Sequence, residues 1–291
     1  MQQSTRSIIP TLHGQSVQAG HTAQPSLTEQ PAHTLHPMRR KRGQGWNRFS
    51  FPLALVLVLV GWQLLVWIGG YQPYTLPAPG LVLQRFASAA SSGLLLHHTL
   101  VTLTEALGGF ALALLAGTLL GYMLFRLCWL ERATAPLLAA SQAVPIIAIA
   151  PLLILWFGTG VQAKILIAAL ITFFPILMST LVALRQIPRE LREMALISGA
   201  SWWQMVRYVE LPLALPVMFA GIRTGLALAT TGAVVGEFVA GRDGLGALIN
   251  IARGLFDTPL MFVAILTLVI ITLTLYQLVE WLERVIIHWA D

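Results

Sequence analysis

Three ionisable side chains stand inside long apolar blocks of this sequence: Glu105, Arg223 and Glu237. Hydrocarbon penalises charge, so an acid or a guanidinium kept there pairs with something, lines a watery path or works a gate. Arg223 and Glu237 share one block and are separated by about 21 Å of helix, so they cannot pair within it. This chemistry suits holding or passing a solute. Bond-making chemistry needs a paired acid, a nucleophile with its base or a metal-ligand set, and none is visible in the apolar blocks. His13, His21, His33 and His36 lie in a polar leader without metal-ligand spacing, and His97 and His98 are adjacent, so on a helix they point apart. The single cysteine, Cys128, excludes an internal disulfide and a cysteine-rich metal centre. Neither lysine, Lys41 or Lys164, follows a glycine cradle that could hold nucleotide phosphates. We therefore expect no metal, no cofactor and no ATPase in this chain.

The elements that must position these residues are membrane helices. Hydrophobic residues make up 56% of the 291 positions and charged ones only 10%, too few to cover a water-soluble domain. The apolar residues gather into six blocks of about 18 to 25 residues, each enough to cross roughly 30 Å of hydrocarbon. Expected spans are 51–68, 99–125, 133–157, 165–184, 213–239 and 260–281. The fold class expected is an all-α membrane protein of six transmembrane helices. The net charge of +6 does not point to nucleic acid, because Arg39, Arg40, Lys41, Arg42 and Arg48 cluster just ahead of the first block. That cluster suits anionic lipid on the cytoplasmic side. With the N-terminus inside, thirteen basic residues fall in inside segments and four, Lys164 among them, in outside ones. Both termini are then cytoplasmic.

The chain divides into three regions. Residues 1–44 are polar, aperiodic and rich in Gln, Thr, Ser, His and Pro, which reads as a disordered tail. Residues 45–93 hold the first span and its outer connection, and residues 94–285 the remaining spans. Between spans four and five lies a loop, 186–212, with its own helical grammar. Pro188 suits a first turn, Glu190 and Glu193 favour the positive helix end, and Gly199 supplies a left-handed stop. The result is a short helix offered to the cytosol. Trp202 and Trp203 behind it suit the headgroup layer, and Gly108, Gly109, Gly117 and Gly121 suit close helix packing.

The run Glu193-x-Ala195-x3-Gly199-x9-Val209-x-Leu211-Pro212 resembles the cytoplasmic loop of permease subunits in binding-protein-dependent ABC importers. Met194 and Val209 are mild departures from that pattern. Leu76-Pro-Ala-Pro79, His97 to Phe110, Pro145 to Gly160, Gly221-Ile-Arg223, Val235-Gly-Glu237 and Gly244-Leu-Gly246 resemble the nitrate, sulfonate and taurine group. The resemblance implies that Glu193, Ala195, Gly199, Leu211 and Pro212 couple the chain to a separate ATPase subunit. It also implies an external substrate-binding protein, a second permease copy and a place in the bacterial inner membrane. Glu105 where sulfonate members carry Arg, and Gly236 where they carry Ala, lean toward carriers of riboflavin or of hydroxymethylpyrimidine and other thiamine precursors. A sulfonate, taurine or nitrate permease is the alternative.

Two other classes compete. An ion-coupled secondary transporter would show inverted repeats around broken helices, and no convincing repeat is present. An intramembrane enzyme lacks its constellation. Because the chain has no phosphate cradle, the purified chain alone should hydrolyse no ATP above background. A hydrolysis assay on the isolated chain checks this, and turnover without another subunit would defeat the importer reading.

Overall fold

The computed structural model describes residues 47–143 and 145–287. The expected tail, residues 1–44, lies outside them. Residues 51–291 form one compact unit, and of the unit before it only Asn47–Ser50 are described. Among the described residues there is no strand. The helices are α1 (Asn47–Gly69), α2 (Pro79–Ser91), α3 (Leu94–Arg126), α4 (Cys128–Ala143), α5 (Ile146–Phe157), α6 (Val161–Arg185), α7 (Arg189–Ile197), α8 (Trp202–Met205), α9 (Leu211–Ala240), α10 (Leu245–Gly254) and α11 (Thr258–Ile286). A π-helical turn, Val206–Glu210, joins α8 to α9 without a break.

Five helical stretches are long and apolar enough to cross a membrane: Pro52–Gly69, Leu94–Arg126, Val161–Arg185, Trp202–Ala240 and Thr258–Ile286. They correspond to the first, second, fourth, fifth and sixth expected spans. The third, expected as one helix over 133–157, is instead two helices that part at Pro145. Proline lacks an N–H and its ring disfavours helix before it, which favours the parting here, with Pro145 as the N-cap of α5.

α6 is the centre of the unit, held between α3 and α9. It buries twelve of its 25 residues, more than any other helix. The approach is close because the neighbours present glycine. A Cβ on Gly109 would sit 2.5 Å from the Ala168 Cβ, and one on Gly232 would sit 2.6 Å from the Ala168 Cα. Ile176 likewise lies between Gly117 and Gly225, and Thr180 lies against Gly121. Going up in number along α3 runs up along α6, so these two helices are parallel. Going up along α9, from Gly221 at Ser179 to Gly236 at Lys164, runs down α6, so α9 is antiparallel to it. The glycines recur at intervals of four, seven or eight, which keeps them on one helix face.

At the Lys164 end α10 and α2 cover the bundle, with Leu245, Leu248, Val263 and Ala264 forming a core with Val82 and Ala89. α1 stands at the edge and touches the rest chiefly through Trp62, which stacks on Phe262 at 5.3 Å. At the Arg185 end, Arg185 pairs with Glu131 of α4.

The glycine seam gives a graded expectation. Gly109→Val places a branched side chain where Ala168 Cβ, the Ile165 carbonyl and the Ala169 amide already lie within 2.9 Å. Overpacking of this kind costs about 1–3 kcal/mol. Gly80→Ala, where an added Cβ meets nothing within 4 Å, is the control. Thermal unfolding in detergent should fall for the first and hold for the second.

Candidate functional site

The close packing of α3, α6 and α9 brings their charged ends together. Glu105 lies one turn before Gly109, Lys164 one turn before Ala168, and Glu237 directly after Gly236. Glu105 and Glu237 are fully buried, and Lys164 keeps 4% of its surface. Lys164 Nζ donates to Glu105 Oε1 at 2.7 Å and reaches the Asp243 carbonyl at 3.4 Å. Thr102 Oγ1 donates to Glu237 Oε1 at 2.6 Å. The Gly246 amide donates to Glu237 Oε2 at 2.5 Å, the Leu245 amide to Thr102 Oγ1 at 2.8 Å and the Gly244 amide to His98 Nδ1 at 3.0 Å.

Those three amides open α10: Gly244 is its N-cap, and Leu245 and Gly246 begin its first turn. Gly244 there has φ +110°, and a Cβ at that position would collide with Glu237 Oε1. Only glycine allows both the conformation and the contact. The start of α10 is thereby folded over the carboxylate, which takes the Gly246 amide while Thr102 and His98 take those of Leu245 and Gly244, all of which the helix would otherwise leave open. On the outer side of the turn, Asp243 meets His97 at 3.1 Å. The His97 ring holds the Asp243 carboxyl below its ordinary range, and because both groups are more than half exposed the contact adds little stability.

Sequence reading singled out Glu105 and Glu237, and the structure brings these two together. It placed Lys164 in an outside connection. Lys164 instead lies in the first turn of α6, inside the bundle, as the cation of the cluster. The signal was its position four residues before Ala168, on the face that packs against glycine. Arg223 is not part of this group. Its guanidinium meets Glu283 of α11 at 2.9 Å and lies over the Tyr276 ring at 5.8 Å.

The loop residues form a second group at the Arg185 end. α7 spans Arg189–Ile197 and begins after Pro188. It ends as expected at Gly199, where φ is +78°. The Ala200 amide returns to the Ala195 carbonyl and the Gly199 amide to that of Leu196, the paired closure of a left-handed C-terminus. No residue of α7 is buried; Met194, Leu196 and Ile197 are 62%, 61% and 88% exposed. Glu193 is exposed and Ala195 half-buried. Arg192 anchors the helix, donating to the Leu184 carbonyl at 2.5 Å and lying over Phe125 at 4.6 Å. Leu211 and Pro212 stand at the start of α9, directly after the π-helical turn. Glu210, just before them, had no assigned part; it is 1% exposed and takes Arg126 at 3.0 Å and the Tyr122 hydroxyl at 3.2 Å.

Residues 109–288 match the family described as binding-protein-dependent transport system inner membrane component. The chain belongs to that family. It is 65% identical over 244 residues to the riboflavin transport system permease protein RibX of Chloroflexus aurantiacus, covering 84% of this chain and 91% of that one. It is 33% identical to the formylaminopyrimidine transport permease protein ThiX of Halalkalibacterium halodurans, over 81% and 94%. Among solved structures, an inward-facing form of the MetNI methionine ABC transporter has a similar fold, with TM-score 0.53 at 22% identity over 65% of this chain and 92% of that one. Family membership carries the ABC permease reading over the ion-coupled transporter and the intramembrane enzyme.

Thr102 is the hinge of the buried cluster, since it donates to Glu237 and accepts from Leu245. Thr102→Val keeps the shape and leaves both partners unmatched, at about 1–3 kcal/mol for each buried group. Thr102→Ser should restore most of the loss. Thermal unfolding, with proteolysis of the 241–257 segment as a local readout, checks both.

Proposed function

We propose that this chain is the membrane permease of a riboflavin importer, powered by a separate ATPase subunit and fed by an external binding protein. The observation that carries this reading is the 65% identity to a riboflavin permease across nearly the whole of that relative. The thiamine-precursor relative is half as similar, which ranks a pyrimidine second.

In this reading the protein sits in a bacterial inner membrane with both termini in the cytoplasm, following the thirteen-to-four bias of basic residues. α4 and α5 together make the sixth crossing. The break at Pro145 is acceptable where it lines protein or a watery cavity rather than lipid. Two copies enclose the path. The turn over Glu237 faces outward, and α7 faces the cytosol.

The α7 surface supports the coupling role. A soluble surface seldom leaves Met194, Leu196 and Ile197 open side by side, and such a patch suits a partner's groove. Glu193, Ala195 and Gly199 shape that helix, while Leu211 and Pro212 start the span it must move. Arg192 fixes it to the last carbonyls of α6, so a push on α7 is felt by α6. ATP-driven closure of two ATPases would draw the two α7 helices together and open the outer side. Hydrolysis would reset the inward form. Glu105 and Glu237, being covered, act here as an outer gate, and Arg223 with Glu283 braces α9 to α11 near the inner side.

The deciding experiment expresses the chain with its ATPase and binding protein in a riboflavin auxotroph and measures uptake of labelled riboflavin. Uptake that depends on ATP hydrolysis supports the proposal. Uptake of hydroxymethylpyrimidine or taurine with none of riboflavin would overturn the substrate. Gly199→Val tests coupling separately. Space around Gly199 is open, so the cost is conformational, about 1–2 kcal/mol for a side chain forced left-handed. Substrate-stimulated hydrolysis should fall roughly five- to thirty-fold, the factor that such an energy carries. Membrane level should hold, and unchanged stimulation would remove α7 from the coupling role.

A further inference from the structure

The cluster at the Lys164 end holds more acid than base. The titratable groups that face it are His98 and Glu105 from α3, Lys164 from α6, Glu237 from α9 and Asp243 from the turn. His98 Nδ1 lies 3.0 Å from the Gly244 amide and 2.9 Å from the Gly244 carbonyl, contacts that a neutral ring of either tautomer can make. Asp243 turns its carboxylate outward to His97 and offers the cluster only its carbonyl. Two carboxyls and one ammonium remain inside.

The hydrogen bonds say where the balance is made. Both Glu237 oxygens are filled by donors, Thr102 and Gly246. Glu105 Oε1 is filled by Lys164. Glu105 Oε2 is buried and without a partner, although the Glu237 side chain is its direct neighbour. Two ionised carboxylates in contact would leave one charge uncompensated in a covered site, which proteins avoid by neutralising one of them. A proton on Glu105 Oε2 turns the lone acceptor into a donor with Glu237 as its neighbour.

We propose that the Glu105–Glu237 pair holds one proton, carried on Glu105, so that neutral Glu105, Lys164 and ionised Glu237 form a proton-bound latch over the Asp243–Gly246 turn. The proton comes from water and no bond other than O–H is made. Glu237 needs its negative charge to grip the turn, and Glu105 as an acid lets it keep that charge beside Lys164. Lys164 is then a positioning residue, acting on the turn through the two acids. That the turn meets a binding protein rests on the orientation proposed above; the proton count does not.

Infrared spectroscopy on the purified full chain at neutral pH, in water and heavy water, reads protonated carboxyls directly. The wild-type spectrum minus that of Glu105→Gln should contain a protonated-carboxyl band with a deuterium shift. Gln matches Glu in shape, and the subtraction cancels other acids such as Glu210. Lys164→Met removes the cation, so both acids must become neutral and the band should rise about twofold. A difference spectrum without the band overturns the proposal, as does a band that does not grow in Lys164→Met. If Lys164→Met cannot be purified, the Glu105→Gln spectrum decides alone. Riboflavin uptake is not read, so this test and the substrate test fail independently.

Discussion

Everything in this protein depends on how near α3 and α9 can come to α6. In lipid, apolar side chains gain little by meeting one another, so helices associate through close packing and shared polar contacts. Glycine at 109, 117 and 121 on α3, and at 221, 225, 232 and 236 on α9, removes the side chains that would hold the backbones apart. Ala168 and Ile176 of α6 are each gripped from both sides. The same approach sets the geometry of the charges at its end. With larger residues in the seam, Lys164 would stand too far from Glu105 for the 2.7 Å contact, and three covered ionisable groups would have no reason to coexist. Packing comes first, and the polar cluster is its consequence.

Much of this was legible in the sequence, and the gaps have physical causes. The apolar blocks gave five spans, four of them to within about five residues and the fifth short of the Trp202 start, because hydrocarbon thickness dictates their length. The loop helix and its stop at Gly199 were legible because capping is local. Pro188, Gly199 and the residues between them act on their own neighbours. The third block misled because hydropathy ignores the backbone. Pro145 interrupts the helix while leaving the apolar average intact. Lys164 was misplaced for a related reason. A charge at the edge of an apolar block reads as the start of a loop, and only the partner 59 residues earlier shows that it faces inward. The pairings of Arg223 with Glu283 and Arg126 with Glu210 are of the same kind, being contacts between helices far apart in sequence.

The charged contacts sit at different depths and do different work. The Lys164 group is closed to solvent and fully committed to one turn. Arg126 with Glu210 and Tyr122 joins the end of α3 to the π-helical turn before α9. A π turn adds one residue to the helix and rotates the helix beyond it, so the contact fixes the direction in which α9 starts. Arg223 with Glu283 joins α9 to α11, with side chains about one-fifth exposed and the Glu283 Oε2 of the contact itself buried. A buried pair that loses one partner leaves an unpaired charge, whereas a partly open pair can trade its partner for water. On that ground the Lys164 group, closed to solvent, is the one suited to stay or to open as a whole.

α6 ties these levels into one device. Its first turn carries Lys164, and its last carbonyls receive Arg192 from α7. Twenty-five helical residues reach about 37 Å, the full hydrocarbon thickness and more. A signal carried between distant sites needs a contiguous element whose two arrangements both sites can bias. Glycine seams on both sides confine α6 to sliding or rotation against α3 and α9, and Pro175 inside it is a place where it can bend. In the coupling reading proposed above, a movement of α7 would reach the far end as a change in the distance between Lys164 and Glu105, and with it in the hold of Glu237 on the turn. On the proposed orientation, ATP-driven motion on one side and the gate on the other are thus joined by a single helix. The glycines that let it pack so closely are what tie its position to those of α3 and α9.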